Sequence, residues 1–420
     1  MNISEIKQIK FLDNLNLFLI SILPIGLIIG SLISNILVIS IVLLFFFTLI
    51  LKNETHILKN KFLIYSFLIY IYLIFTSLIN IDNFDKLDQE STIRSIGFIR
   101  FILLSIAICY YIKKFGNEKI LILSSLFFLF VTIDLIFESY FGSNLLGFKS
   151  EYYGRLSGLT GEELKIGGFY FGFILLSLSF LYKKKPHFII PLTILFVIIS
   201  IMIGERSNFL KILFCVTLWS FLTNKNDLRK KLLFFLFIIF TAIISLTLLS
   251  NIEQIGKTKG RFLQQIFQNQ PDESIFENIK KSSPHYSHYV TSVKIFKDYP
   301  IFGVGLKKFR KVSYQENYND LKHGFYGRGN HPHQFHFEWL AETGVIGYTA
   351  LLFFFLYYIF YGLKEYIKTK NIFLLSSLLF LISSLLPFLP SGSFFTSYGA
   401  TIFWINFGFF LGNSKVISFK

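Results

Sequence analysis

The chain has 420 residues, of which 53% are hydrophobic and 19% aromatic, and a formal net charge of +16. Such a composition excludes an ordinary soluble chain and points to a polytopic membrane protein. The lysine excess accompanies abundant Ile, Asn and Phe, as in an AT-rich coding sequence, so the charge gives no support to nucleic-acid binding.

Apolar runs at about 15–30, 34–51, 62–80, 93–112, 120–141, 166–182, 188–204, 207–223, 231–249, 343–363, 371–389 and 396–412 predict twelve spans. Each suits a hydrocarbon core of about 30 Å. The expected fold class is an all-α integral membrane protein with about twelve transmembrane helices and one long periplasmic loop containing short amphipathic helices. Residues 1–249 would hold spans one to nine, 250–342 the loop, and 343–420 spans ten to twelve. Basic residues such as "KKK" at 183–185 and "NDLRKK" at 226–231 fall on the side of the N-terminus. By the positive-inside rule both termini are then cytoplasmic and the loop faces the periplasm of a bacterial inner membrane. The first span lacks a small-residue cleavage pattern and reads as a retained helix. Cys109 and Cys215 lie within spans, which excludes a disulfide framework in the loop.

Two charges fall inside predicted spans. Arg100 in span four and Asp134 in span five each sit about 10 Å from the outer end. These spans are consecutive and antiparallel, so an ion pair or a shared polar cavity is expected.

Arginine is scarce, eight residues against 33 lysines. Only Arg229 falls on the cytoplasmic side. Arg94, Arg100, Arg155, Arg206, Arg261, Arg310 and Arg328 fall on or near the outer face, against the usual trend. A guanidinium grips phosphate through a planar fork and stays charged when desolvated. The distribution therefore points to an anionic, phosphorylated ligand at the outer surface, with interfacial snorkelling as the alternative for any single arginine.

Within the loop, "SSPHYSHYVTSVKIFKDYP" (282–300) begins with serines and Pro284 and spaces Tyr286, Tyr289, Val293 and Phe296 as the apolar face of an amphipathic helix. "IFGVG" (301–305) follows, a tight turn sooner than a phosphate cradle. In "NHPHQFHFEWLAETGVIG" (330–347), Asn330 is the predicted cap of a helix whose first turn tolerates Pro332. His333 would then lie in the positive potential of a helix N-terminus and be neutral near pH 7, able to accept a proton. His336 would share its face, Glu342 would lie one further repeat along, and "ETGVIG" would break the helix. A divalent metal on His331, His333, His336 and Glu338 is disfavoured because Pro332 disrupts the spacing.

"DYPIFGVGLKKF" together with "HPHQFHFEWLAETGVIG" resembles the O-antigen ligase and O-antigen polymerase superfamily. That signature is a Pro, a G-x-G turn, a His-Asn-x-x-Leu-like motif and then Glu-x-Gly-x-x-Gly. The resemblance implies that His333 is catalytic, with Gln334 where Asn is usual. Arg206 in "GERSN" and Arg155 in "GRLSG" match arginine-bearing outer turns, and His285 stands where an Arg often begins the loop helix, so Arg261 or Arg328 would supply that charge. On this reading Arg206, Arg155, Arg328, Arg261, His331, His336 and Glu342 bind substrate. The implied reaction transfers a glycan from an undecaprenyl-diphosphate-linked donor to an acceptor hydroxyl on lipid A–core, another glycan or a protein. It would proceed with inversion and without metal or cofactor, amid membrane lipids. A secondary transporter is the rival of another class. Only "KKKPH" separates spans six and seven, where transporters of that size usually carry their long loop, and no internal repeat is evident.

Overall fold

The computed structural model describes residues 3–81, 85–223, 228–248, 256–260, 277, 283–318, 327–387 and 389–417. These residues are helical and contain no strand. In chain order the helices are α1 (Ile3–Ile29), α2 (Ser31–Leu51), α3 (Lys61–Ile79), α4 (Lys86–Gly97), α5 (Ile99–Phe115), α6 (Asn117–Phe141), α7 (Ile166–Lys184), α8 (Ile189–Met202), α9 (Arg206–Thr223) and α10 (Leu228–Leu248). There follow α11 (Pro284–Asp298), α12 (Phe335–Thr369), α13 (Ile372–Ser384) and α14 (Ser397–Asn413).

Each of the twelve apolar stretches lies on a helix, with α4 and α5 together covering the fourth. Among the described residues, seven helical segments are long and apolar enough to cross a membrane: those within α1, α2, α3, α4–α5, α6, α7 and α12. Helices α8, α13 and α14 are shorter, and one reason is visible in α13. It stops at Ser384, well short of the predicted 389, because the chain beyond it turns back onto residues 333–338.

The exposed faces of α2 and α3 are rows of Ile, Leu and Phe, whereas α5, α7 and α14 are buried nearly all round. Such helices form the centre of a bundle in lipid, where every main-chain group is satisfied within its own helix. Phe355, Phe394, Phe403 and Phe407 pack edge-on or stacked with Trp339 and Trp404 beneath the start of α12. This rigid aromatic layer supports the residues described next.

The expected Arg100–Asp134 pair does not form. Arg100 donates to the Gly97 carbonyl, to Asn35 Oδ1 at 3.2 Å and to Ser397 Oγ at 3.4 Å, and its guanidinium covers the Phe101 ring. Asp134 Oδ1 instead accepts the Leu145 N–H at 2.9 Å, tying down the chain after α6. The reason lies in packing: α5 packs chiefly on α14 and α2, and α6 on α1 and α7. Helices α5 and α6, though consecutive, are not principal packing partners.

Candidate active site

The candidate segment is built on the start of α12. The cap is Gln334, not Asn330: its Oε1 accepts the N–H groups of His336 at 2.7 Å and Phe337 at 3.2 Å. An amide side chain folded over the first turn satisfies two orphan donors at once. His333 therefore precedes the helix, in the left-handed region with φ 59°. Its carbonyl accepts the Ser391 N–H at 2.6 Å, which helps hold a backbone conformation costing a non-glycine residue about 1–3 kcal/mol. Gln334 Nε2 donates to the Leu386 carbonyl at 3.3 Å, so the 385–394 turn fixes this segment from the other side.

Three imidazoles converge around His333. Its ring centroid lies 4.0 Å from His331, 5.0 Å from His285 and 5.3 Å from His288. His285 and His288 are three residues apart on α11 and so share a face. The buried face of that helix differs in part from the expected one: Tyr289 is buried as expected and stacks on Phe337, but Ile295 is fully buried while Val293 is exposed. His288 Nδ1 lies 2.9 Å from the Gly327 carbonyl. A carbonyl only accepts, so that nitrogen carries the proton and Nε2 keeps a lone pair. His331 Nε2 and His285 Nδ1 are buried without a hydrogen-bond partner among the described residues.

These imidazoles are neutral at pH 7. Burial, then the neighbouring His285, His288 and Lys307, push His333 down to about 3. Burial, then His288, Arg206 and Arg155, push His285 down to about 4. Burial is the main cause for His331 and His288 as well, both lowered. A neutral His333 was expected from a helix N-terminus. The structure attributes the same state chiefly to desolvation, with the Lys307 charge adding to it.

Arg155 and Arg206, whose charges disfavour a proton on His285, stand on two turns that are locked together. Leu156 N–H donates to the Ile203 carbonyl at 3.2 Å, and a Cβ on Gly204 would lie 1.9 Å from the Gly154 oxygen. Only glycine permits that contact. Glu138 fixes the first turn by accepting from Ser157 N–H, Ser157 Oγ–H and Gly158 N–H at 2.7–2.8 Å. Arg155 Nη2 lies 3.8 Å from Glu205 Oε1.

The remaining predicted residues stand elsewhere. His336 does not share a face with His333, because His333 is outside the helix. Its Nε2 bonds the Leu385 carbonyl at 2.9 Å and its Nδ1 lies 3.4 Å from Tyr348 Oη. Glu342 is fully buried and accepts the N–H groups of Lys307 at 2.7 Å and Phe309 at 3.4 Å. It anchors the Gly-Val-Gly turn, whose Val304 and Gly305 N–H groups bond the Ala341 and Glu342 carbonyls. Gly303 and Gly344, both at positive φ, allow this contact: a Cβ on Gly344 would lie 2.3 Å from the Ile301 oxygen. The turn is thus a docking element, and Gly344 is the helix break expected in "ETGVIG". Arg310 pairs with Glu90. Arg328 places its guanidinium 5.7 Å from the Tyr314 ring, one residue from the Gly327 that holds His288. Arg261 lies outside the described residues.

Lys307 was missed by sequence reading. It is 5% exposed, with Nζ 3.2 Å from Ser393 Oγ, and Ser393 in turn donates to Glu338. One signal was available: His285 and His288 at i and i+3 on an otherwise amphipathic helix. Among the described residues no three His, Cys, Asp or Glu side chains are arranged to hold a metal ion. The arrangement can accept a proton at a desolvated imidazole next to guanidinium groups able to hold an anion.

Residues 191–352 match the family model described as O-antigen ligase, a region that runs from α8 into α12 and contains Arg206, α11, the Gly-Val-Gly turn and His333. No curated protein matches the chain.

Proposed function

Because the chain belongs to the O-antigen ligase superfamily, we propose that it is a membrane glycosyltransferase acting on a lipid-linked glycan at the periplasmic face of a bacterial inner membrane. The donor is a glycan on undecaprenyl diphosphate and the acceptor a hydroxyl, with lipid A–core favoured. The observation that carries this reading is a neutral His333, held in a strained turn, whose neighbour His285 lies in the positive field of Arg155 and Arg206.

A sugar hydroxyl is a weak nucleophile, so His333 removes its proton as the oxygen attacks the anomeric carbon. The bond to the carrier breaks with its electron pair, leaving charge on the diphosphate. Arg206 and Arg155 hold that charge, and they bind the departing anion more strongly than the intact donor. Attack opposite the leaving group inverts the anomeric centre. His331, with an unpartnered buried nitrogen, is placed to meet a substrate hydroxyl.

The test uses purified protein in liposomes with one lipid-linked donor and three acceptors in turn: lipid A–core, a second lipid-linked repeat and an acceptor protein. Transfer to lipid A–core supports the ligase reading. Transfer to either of the others assigns the polymerase or protein oligosaccharyltransferase alternative. Uptake of solute without any transfer would replace the enzyme reading with a transporter.

A further inference from the structure

His288 lies outside the sequence signature and has no part in the chemistry above, yet it is held as firmly as His333. Its Nδ1–H is committed to the Gly327 carbonyl at 2.9 Å. The following turn closes over the ring, so that a Cβ on Gly329 would lie 2.9 Å from His288 Cε1. This accounts for Gly329 of "GRG" at 327–329, whereas Gly327 is required by its φ of 66° and by Thr291, which a Cβ there would strike. The ring stacks on His333 at 5.3 Å and 28°. One tautomer is thus imposed, and its free lone pair is Nε2.

We propose that His288 is a proton relay, taking from His333 the proton that His333 removes from the acceptor. This inference rests on the glycosyl-transfer reading and makes His288 a positioning residue that acts through His333. During transfer the acceptor O–H proton moves to His333, the acceptor oxygen bonds the anomeric carbon, and the glycosidic pair leaves with the diphosphate. An imidazolium at His333 would be buried and would stand in the field of the Lys307 ammonium, both of which disfavour it. The proton then passes to His288 Nε2, across one bridging water or hydroxyl at this ring separation. His288 can hold it because its other N–H already points at a carbonyl, which stabilises the cation. Loss of the proton from Nε2 to solvent returns both rings to neutrality, with no net change of charge or oxidation state.

The test is His288→Asn, whose amide N–H can still donate to Gly327 but cannot carry a proton. His288→Gln is the second variant, and size-exclusion profiles check the folding of both. Relay predicts that turnover falls by about tenfold or more, that donor KM stays within about twofold, and that added imidazole restores turnover in proportion to its neutral fraction. Unchanged turnover overturns the proposal. So does a loss without imidazole response, a loss expressed mainly in donor KM, or misfolding of both variants, since each leaves His288 a structural or binding residue. Wild-type protein in the same assay separates the two levels. Wild-type transfer with equal variants removes only the relay, whereas wild-type silence removes the transfer reading and the relay with it.

Discussion

Acid should loosen the histidine cluster, and the size of the effect follows from its burial. His333 and His285 are pushed down to about 3 and about 4 in the folded protein, against about 6.5 in an unfolded chain. The unfolded state therefore binds more protons below pH 6.5, so stability is full above that value and declines as pH falls toward the folded values. At pH 5 each imidazole is unprotonated when folded and charged when unfolded, which costs about 2 kcal/mol apiece, or about 4 kcal/mol together. The assay is thermal unfolding in detergent micelles at pH 7.5 and pH 5, for wild type and for the His285→Gln/His333→Gln double variant. Wild type should lose several degrees more than the double variant on acidification. An identical pH-dependent drop in both would refute the claim that these rings are held neutral by burial.

Three further outcomes follow from named contacts. Arg206→Lys keeps charge but loses the fork, so transfer should fall substantially and fall further in Arg206→Ala, read as initial rates at saturating acceptor; full activity in Arg206→Lys would make Arg206 an interfacial anchor. Asp88 is fully buried and lies 2.7 Å from Lys308, while Lys311, 3.3 Å away, keeps Asp85 as a second partner, so Asp88→Asn leaves the buried Lys308 ammonium without its carboxylate and should destabilise by about 3–5 kcal/mol, visible as lost expression or a lowered Tm. Gly303 has φ 67°, and a Cβ there would lie 2.5 Å from the Glu342 backbone; Gly303→Ala should cost on the order of 2–4 kcal/mol, with loss of folded protein on size exclusion as the readout.

Helices were legible in the sequence because hydropathy is a local property: each predicted apolar stretch lies on one. Their lengths were less so. The end of α13 is set by hydrogen bonds between the 385–394 turn and residues 333–338, most of them from the side chains of Gln334, His336 and Glu338, which no local pattern encodes. His333 could be found from its motif, but the cap could not, because Asn330 and Gln334 are both capable caps and tertiary contacts from Leu386 and Ser391 select the second. Glu342 reads as a site carboxylate until its partners, Lys307 and Phe309, are known to lie across the Gly-Val-Gly turn. Arg100 and Asp134 failed as a pair for the same reason, since adjacency in sequence did not make α5 and α6 principal packing partners. The second histidine pair, on α11, was hidden by an apolar face assigned to Val293 when Ile295 occupies it.

The central claim is that His333 is the base of a glycosyl transfer. Its most direct test is the rate of product formation by purified His333→Ala beside wild type, with matched reconstitution and a lipid-linked donor. The account predicts a folded, inserted variant with no measurable transfer. Retention of about a tenth of wild-type turnover or more would contradict it.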